Sequence, residues 1–100
     1  MAISNKKDVD TNYSYSEDKI LGEIMDYIRN TYDQHYVGNK DIHTVDFWES
    51  LGSLTTTSRD TAIKYLARYG KKEGRNRKDL LKAAHYIVLM IYAHDKENKS

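Results

Sequence analysis

The sequence predicts an all-α fold, a small bundle of about four helices that ends in a C-terminal helical hairpin. Three observations predict it: proline is absent from the 100 residues, strand-like alternation is scarce, and three segments carry apolar residues at three- and four-residue intervals. A chain of this length holds one core and one domain. Residues 1–13 are polar and unpatterned, so they are expected to form a flexible arm, with the helical domain spanning 14–100.

The first helix is expected to begin near Ser14 or Ser16, because Ser14-Tyr15-Ser16-Glu17 has the S-x-x-E spacing of a capping box and acids favour a helix start. Ile20, Leu21, Ile24, Met25, Ile28 and Tyr32 form its apolar stripe, slightly weakened by Gly22. Residues 33–43 read as a loop turning at Gly38-Asn39. Thr44 then caps a short helix from Val45 to Leu51, stopped by Gly52, with Phe47, Trp48 and Leu51 as its core candidates. The run Thr55-Thr56-Thr57-Ser58 offers cap oxygens, and Thr57 with Asp60 suits the start of a third helix that stops at Gly70. Beyond the turn Gly70 to Arg75, Asn76 caps a fourth helix running to about His94. Its expected core stripe is Leu80, Leu81, Ala84, Ile87, Val88 and Ile91. Tyr86 to Ala93 is apolar on every side, which predicts a homo-oligomer formed through this C-terminal helix.

Without cysteine the chain has neither disulfides nor thiolate metal sites, which fits a cytosolic setting. Met1 to Ser16 lacks the apolar stretch of a signal peptide, and the run Tyr86 to Ala93 is far shorter than a bilayer span, so no membrane partner is expected. The net charge of +1 conceals a strong polarity. Between Arg59 and Lys82, nine basic residues face three acidic ones, a local +6 that leaves −5 for the rest. Such a segment is a candidate anion site.

Lys64, Arg68 and Lys71 or Lys72 follow the spacing that sets side chains on one helical face, leading into the hairpin turn. There the fourth helix starts with free N–H groups beside Arg75, Arg77 and Lys78, and a helix start attracts anions. Tyr65 and Tyr69 flank this ridge, where they can stack on a base or hydrogen-bond a phosphate. His35 and Tyr36 are candidate ligand contacts from a loop. The four histidines, His35, His43, His85 and His94, lack the spacing of a zinc motif, so neither a metal nor a cofactor is expected. The pairs Glu23/Asp26 and Asp46/Glu49 could hold magnesium, as in helical nucleotide pyrophosphohydrolases, but read more simply as solvated acids. No phosphate loop, nucleophile elbow or cysteine nucleophile is present, so conventional phosphoryl or acyl transfer lacks its parts.

From His35 onward the sequence resembles small tailed-phage proteins described as nucleotide kinase-like. The resemblance lies in His35-Tyr36, Gly38, Ile42-x-Thr44-Val45-Asp46-Phe47, the block from Ala62 to Lys72, and Lys78-Asp79-Leu80-x-Lys82-Ala83-x-x-Tyr86. It implies a helical, oligomeric phage protein that handles nucleotides in the cytoplasm of an infected bacterial host, with Lys64, Arg68, Lys71 and Lys72 as phosphate contacts. The chain lacks the long N-terminal extension of the kinase-active relatives. The expected function is therefore noncatalytic: basic loops at subunit junctions enclose a nucleotide, cyclic-nucleotide or ADP-ribose-type ligand, and so sequester a host-defence signal. The alternative is a nucleotide-modifying enzyme, kinase-like or a pyrophosphohydrolase. The near-neutral total charge and short basic segment argue against strong nucleic-acid binding.

Overall fold

The computed structural model describes residues 11–32, 41–71 and 74–98, with the side chains of 41–44 left aside. Four α-helices occur among these residues: α1 (Glu17–Thr31), α2 (Asp41–Ser50), α3 (Leu54–Arg68) and α4 (Arg77–Glu97). The all-α expectation holds. Arm residues 1–10, the Gly38-Asn39 turn, His35, Tyr36 and Lys72 lie outside the described residues.

Helix starts differ from expectation in instructive ways. No capping box forms on α1: Ser16 sits at the cap position with φ 60° and makes no side-chain cap bond, while the Glu17 carboxylate accepts the Tyr15 N–H at 2.9 Å. Helix α2 starts at Asp41, so part of the expected loop is helical and Thr44 is not its cap; an acid at a helix start is favoured by the dipole. Helix α3 starts at Leu54, and Thr57 therefore lies within its first turn. Its N–H bonds Ser53 O at 2.8 Å, and its own carbonyl accepts the Thr61 hydroxyl at 2.7 Å. Burial of Leu54, only 4% exposed, gives a reason for the earlier start.

Helix ends follow the sequence more closely. Gly52 and Gly70 take φ values of +75° and +85°, a left-handed geometry that glycine adopts without steric penalty, and both stand just past helices. At the hairpin turn, Gly70 N–H bonds Gly74 O at 2.7 Å and Lys71 N–H bonds Arg68 O at 2.9 Å. Asn76 caps α4 as expected, its side chain accepting the Lys78 N–H at 3.0 Å.

The core lies between α3 and α4, and it is made of small side chains. Leu54, Ser58 and Ala62 recur every four residues on α3 and meet the α4 row that includes Asp79, Ala83 and Ala93. Small residues let two helix backbones approach closely. The expected α4 core stripe is therefore largely displaced: Leu80, Ile87, Val88 and Ile91 are 38–56% exposed, while Leu81 and Ala84 are half-buried. The same correction applies to α1, where no residue is fully buried although Ile24 and Ile28 are half-buried, to Phe47 of α2 and to Leu51 just past its end, the last two about 60% exposed.

Helices α1 and α2 attach through a few contacts. The Arg77 guanidinium at the start of α4 grips Glu23 with two bonds of 2.6 and 2.8 Å, and Tyr27 meets the buried His85 ring edge-on at 6.2 Å. On α2, Glu49 accepts the Tyr92 hydroxyl at 2.9 Å and pairs with Lys96 at 3.3 Å. No described helix is long and apolar enough to cross a membrane.

Candidate functional site

Turning about 100° per residue along two antiparallel helices, the hairpin acquires two unlike sides. Lys64 and Arg68 of α3 and Lys78 and Lys82 of α4 fall on one of them. On that side Tyr65 is the focus: its ring stacks on Tyr86 at 6.3 Å, with 14° between the planes. Three cations surround the same ring, Lys64 Nζ at 5.0 Å, Arg68 Cζ at 5.1 Å and Lys82 Nζ at 5.2 Å from its centre. Cations at this range are attracted by the electron-rich ring, which draws like charges together without an acid between them. The result is a basic, aromatic-floored patch that straddles both helices.

One acid does stand beside the patch. Asp79 is 3% exposed, and its Oδ1 lies 4.0 Å from Arg68 Nη1, while Oδ2 has no hydrogen-bond partner among the described residues. Asp79 occupies the third position of α4, where the helix dipole favours a carboxylate. The start of α4 is thus already supplied with an anion. Its second-position amide is also taken, since the Lys78 N–H is capped by Asn76.

The expected site residues separate accordingly. Lys64, Tyr65 and Arg68 come together, joined by Lys82, whereas Arg75 leans away onto Tyr69, donating to its hydroxyl at 3.3 Å with the guanidinium 5.9 Å from the ring. That bond and the ring oxygen beside it raise the Arg75 pKa further above its ordinary range. Arg77, counted among the flanking cations, is committed to Glu23, whose carboxyl pKa is held below its ordinary 4.5 mainly by that hydrogen bond. Lys71 and Lys78 are exposed near the turn. The cations therefore converge one helical turn before the bend rather than around it. Arg68 is also less solvated than a surface ridge implies, its side chain being 37% exposed against a buried acid.

Sequence reasoning left Lys82 and Tyr86 out of the site. A signal for them exists: Asp79, Lys82, Ala83 and Tyr86 recur at three- and four-residue steps, which sets them on the α4 side that meets α3. Three of the four acids weighed for magnesium are engaged elsewhere, Glu23 with Arg77, Asp26 with Arg29 at 2.8 Å, and Glu49 with Tyr92 and Lys96. Among the described residues no group of three or more acids, histidines or cysteines is arranged to hold a metal ion.

Residues 30–88, more than half of the chain and including the whole basic patch, match the model of a family described as proteins of unknown function (DUF3310). No curated protein and no solved structure matches the chain.

Proposed function

We propose that this chain, which belongs to the DUF3310 family, binds a nucleotide or nucleotide-derived signal on its basic hairpin face and holds it without chemical change. The observation that carries the reading is the convergence of Lys64, Arg68 and Lys82 within about 5 Å of one tyrosine ring. Three cations supply charge-assisted hydrogen bonds to phosphate oxygens, and the Tyr65 ring, itself stacked on Tyr86, holds them together. The phosphate contacts dominate, so binding weakens as salt rises.

In this reading the protein acts in the cytoplasm of a bacterium infected by phage, as a sponge for a cyclic-nucleotide or ADP-ribose-type defence signal. Its subunits associate through α4, and retention of the signal lowers its free concentration by mass action. The absence of a phosphate loop or nucleophile elbow from the sequence supports binding over turnover.

Isothermal titration with a panel of nucleoside phosphates, cyclic nucleotides and ADP-ribose derivatives tests the reading. At least one ligand is expected to saturate the protein and to be recovered intact after denaturation. Lys64→Ala is expected to weaken that binding by about tenfold, the equivalent of one lost charge-assisted contact. Lys64 is the better probe than Arg68, because it is exposed and truncating it leaves no buried acid behind. Silence across the whole panel would remove the proposal. Altered products with ATP and magnesium would replace it with a nucleotide-modifying enzyme.

A further inference from the structure

Asp79 is an acid in a place that stability alone does not explain. It is 3% exposed, and its Oδ2 has no hydrogen-bond partner among the described residues. Taking a carboxylate out of water is costly unless close partners replace the water, and the dipole at the third position of α4 offsets only a fraction of that cost. The cation in range, Arg68, holds its Nη1 4.0 Å from Oδ1, about 1 Å beyond the length of a charge-assisted hydrogen bond.

This spacing leaves Arg68 in a different state from the other paired arginines. Arg77 gives two bonds of 2.6 and 2.8 Å to Glu23, and Arg29 gives one of 2.8 Å to Asp26, so their donors are taken. Arg68 is attracted by Asp79 without a bond to it. Its guanidinium is also drawn to the Tyr65 ring, 5.1 Å from the ring centre, so an acid of α4 and a ring of α3 fix it from two helices. Lys64 and Lys82 share the ring, but no carboxylate of the described residues stands in ion-pair range of either. With its side chain 37% exposed, Arg68 presents an open edge of a group that carries five donors.

We infer that Asp79 is the positioning residue of the basic patch: from the buried seam it holds the Arg68 guanidinium in place, so that the free donors of Arg68 meet a phosphate oxygen of the ligand. The inference rests on the reading of this patch as a phosphate site and adds the residue that orders one of its three cations. A planar fork held in advance loses less freedom on binding than the flexible arms of Lys64 and Lys82. Arg68 thereby supplies orientation, and the two lysines supply charge. Asp79 itself touches no ligand, because its carboxylate is covered.

Charge and geometry pull in opposite directions here, which makes the role measurable. An acid that acted only as a charge would weaken the positive field of the patch, and neutralising it would strengthen phosphate binding. Neutralising a positioning residue does the reverse, since the guanidinium loses its aim.

Titration of the full chain with inorganic pyrophosphate, followed by NMR, tests the inference. The wild-type chain is expected to saturate, and Asp79→Asn to bind about five- to tenfold more weakly although the patch gains positive charge. In an Arg68→Gln background the same substitution is expected not to weaken binding, because no guanidinium is left to place; a merely structural role does not produce this coupling. A measurement on the free wild-type chain keeps the test independent of whether Asp79→Asn folds. The Arg68 side-chain Nε–H is expected to be ordered on the scale of the α3 backbone, unlike that of the exposed Arg59. Three results would each overturn the inference and leave the phosphate reading standing: Asp79→Asn binding as tightly as wild type or more so, equal weakening with and without Arg68, or an Arg68 as mobile as Arg59. A wild-type chain that does not bind pyrophosphate would overturn the inference and that reading together.

Discussion

Ser58 and His85 show how a core this thin treats polar side chains. Ser58 is fully buried, and its hydroxyl has no partner among the described residues, a state that costs about 1–3 kcal/mol relative to solvation. Ser58→Ala keeps nearly the same volume and removes the orphaned group. It is expected to raise the chemical-denaturation midpoint, by about 1 kcal/mol of stability; a loss of stability would reveal a hidden partner. For His85, burial alone pushes the pKa below its ordinary 6.5. The unfolded chain therefore takes up the proton first as pH falls, so stability is whole above 6.5 and declines from there down to the folded pKa. His85→Phe, which keeps a ring for Tyr27, is expected to flatten that decline. Glu23 and Glu49 act in a separate, lower window, since partners hold both below 4.5 and their contribution is lost as pH falls through the folded values. The individual cations Lys64 and Arg68 were legible as a pair from spacing alone. Asp79 as the buried companion of Arg68 was not, because a K-D-L run reads as a solvated helix start.

Among the elements, α3 and α4 behave as one unit and α1 as a lightly held addition. The periodicity of α1 was read correctly as amphipathic, yet the stripe is at most half-buried, at Ile24 and Ile28, because a sequence states which side is apolar and not what lies against it. Its chief polar anchor is the two-bond grip of Arg77 on Glu23. In Glu23→Gln the amides of α1 are expected to exchange with solvent faster while those of α3 and α4 keep their protection, as read by hydrogen exchange with mass spectrometry. Uniform acceleration in all helices would show instead that α1 is integral to the fold. The end signals Gly52, Gly70 and Asn76 were legible because each rests on local backbone geometry. The start of α3 was not, because Leu54 is buried beside a cavity it shares with Ala93, a residue far away in sequence.

At the scale of the molecule, the hairpin divides charge from apolar surface, with Lys64, Arg68 and Lys82 on one side and Ile63, Leu66, Ile87 and Ile91 exposed on the other. The fold class was readable in the missing prolines and the three- and four-residue spacing; the displaced α4 core row was not, since on a helix apolar nearly all round the alanines and the isoleucines compete to face inward. If subunits associate through α4 as proposed, the chain is expected to melt at higher temperature as protein concentration rises, a dependence absent from a monomer and measurable by circular dichroism. The short turn between α3 and α4 has a consequence in time as well. Ends separated by so few residues meet within about 10–100 ns, and the core can then close outward from the turn between two helices adjacent in sequence. The hairpin should therefore assemble on the microsecond-to-millisecond scale of other low-contact-order helical folds, well before two molecules at ordinary dilution can find each other.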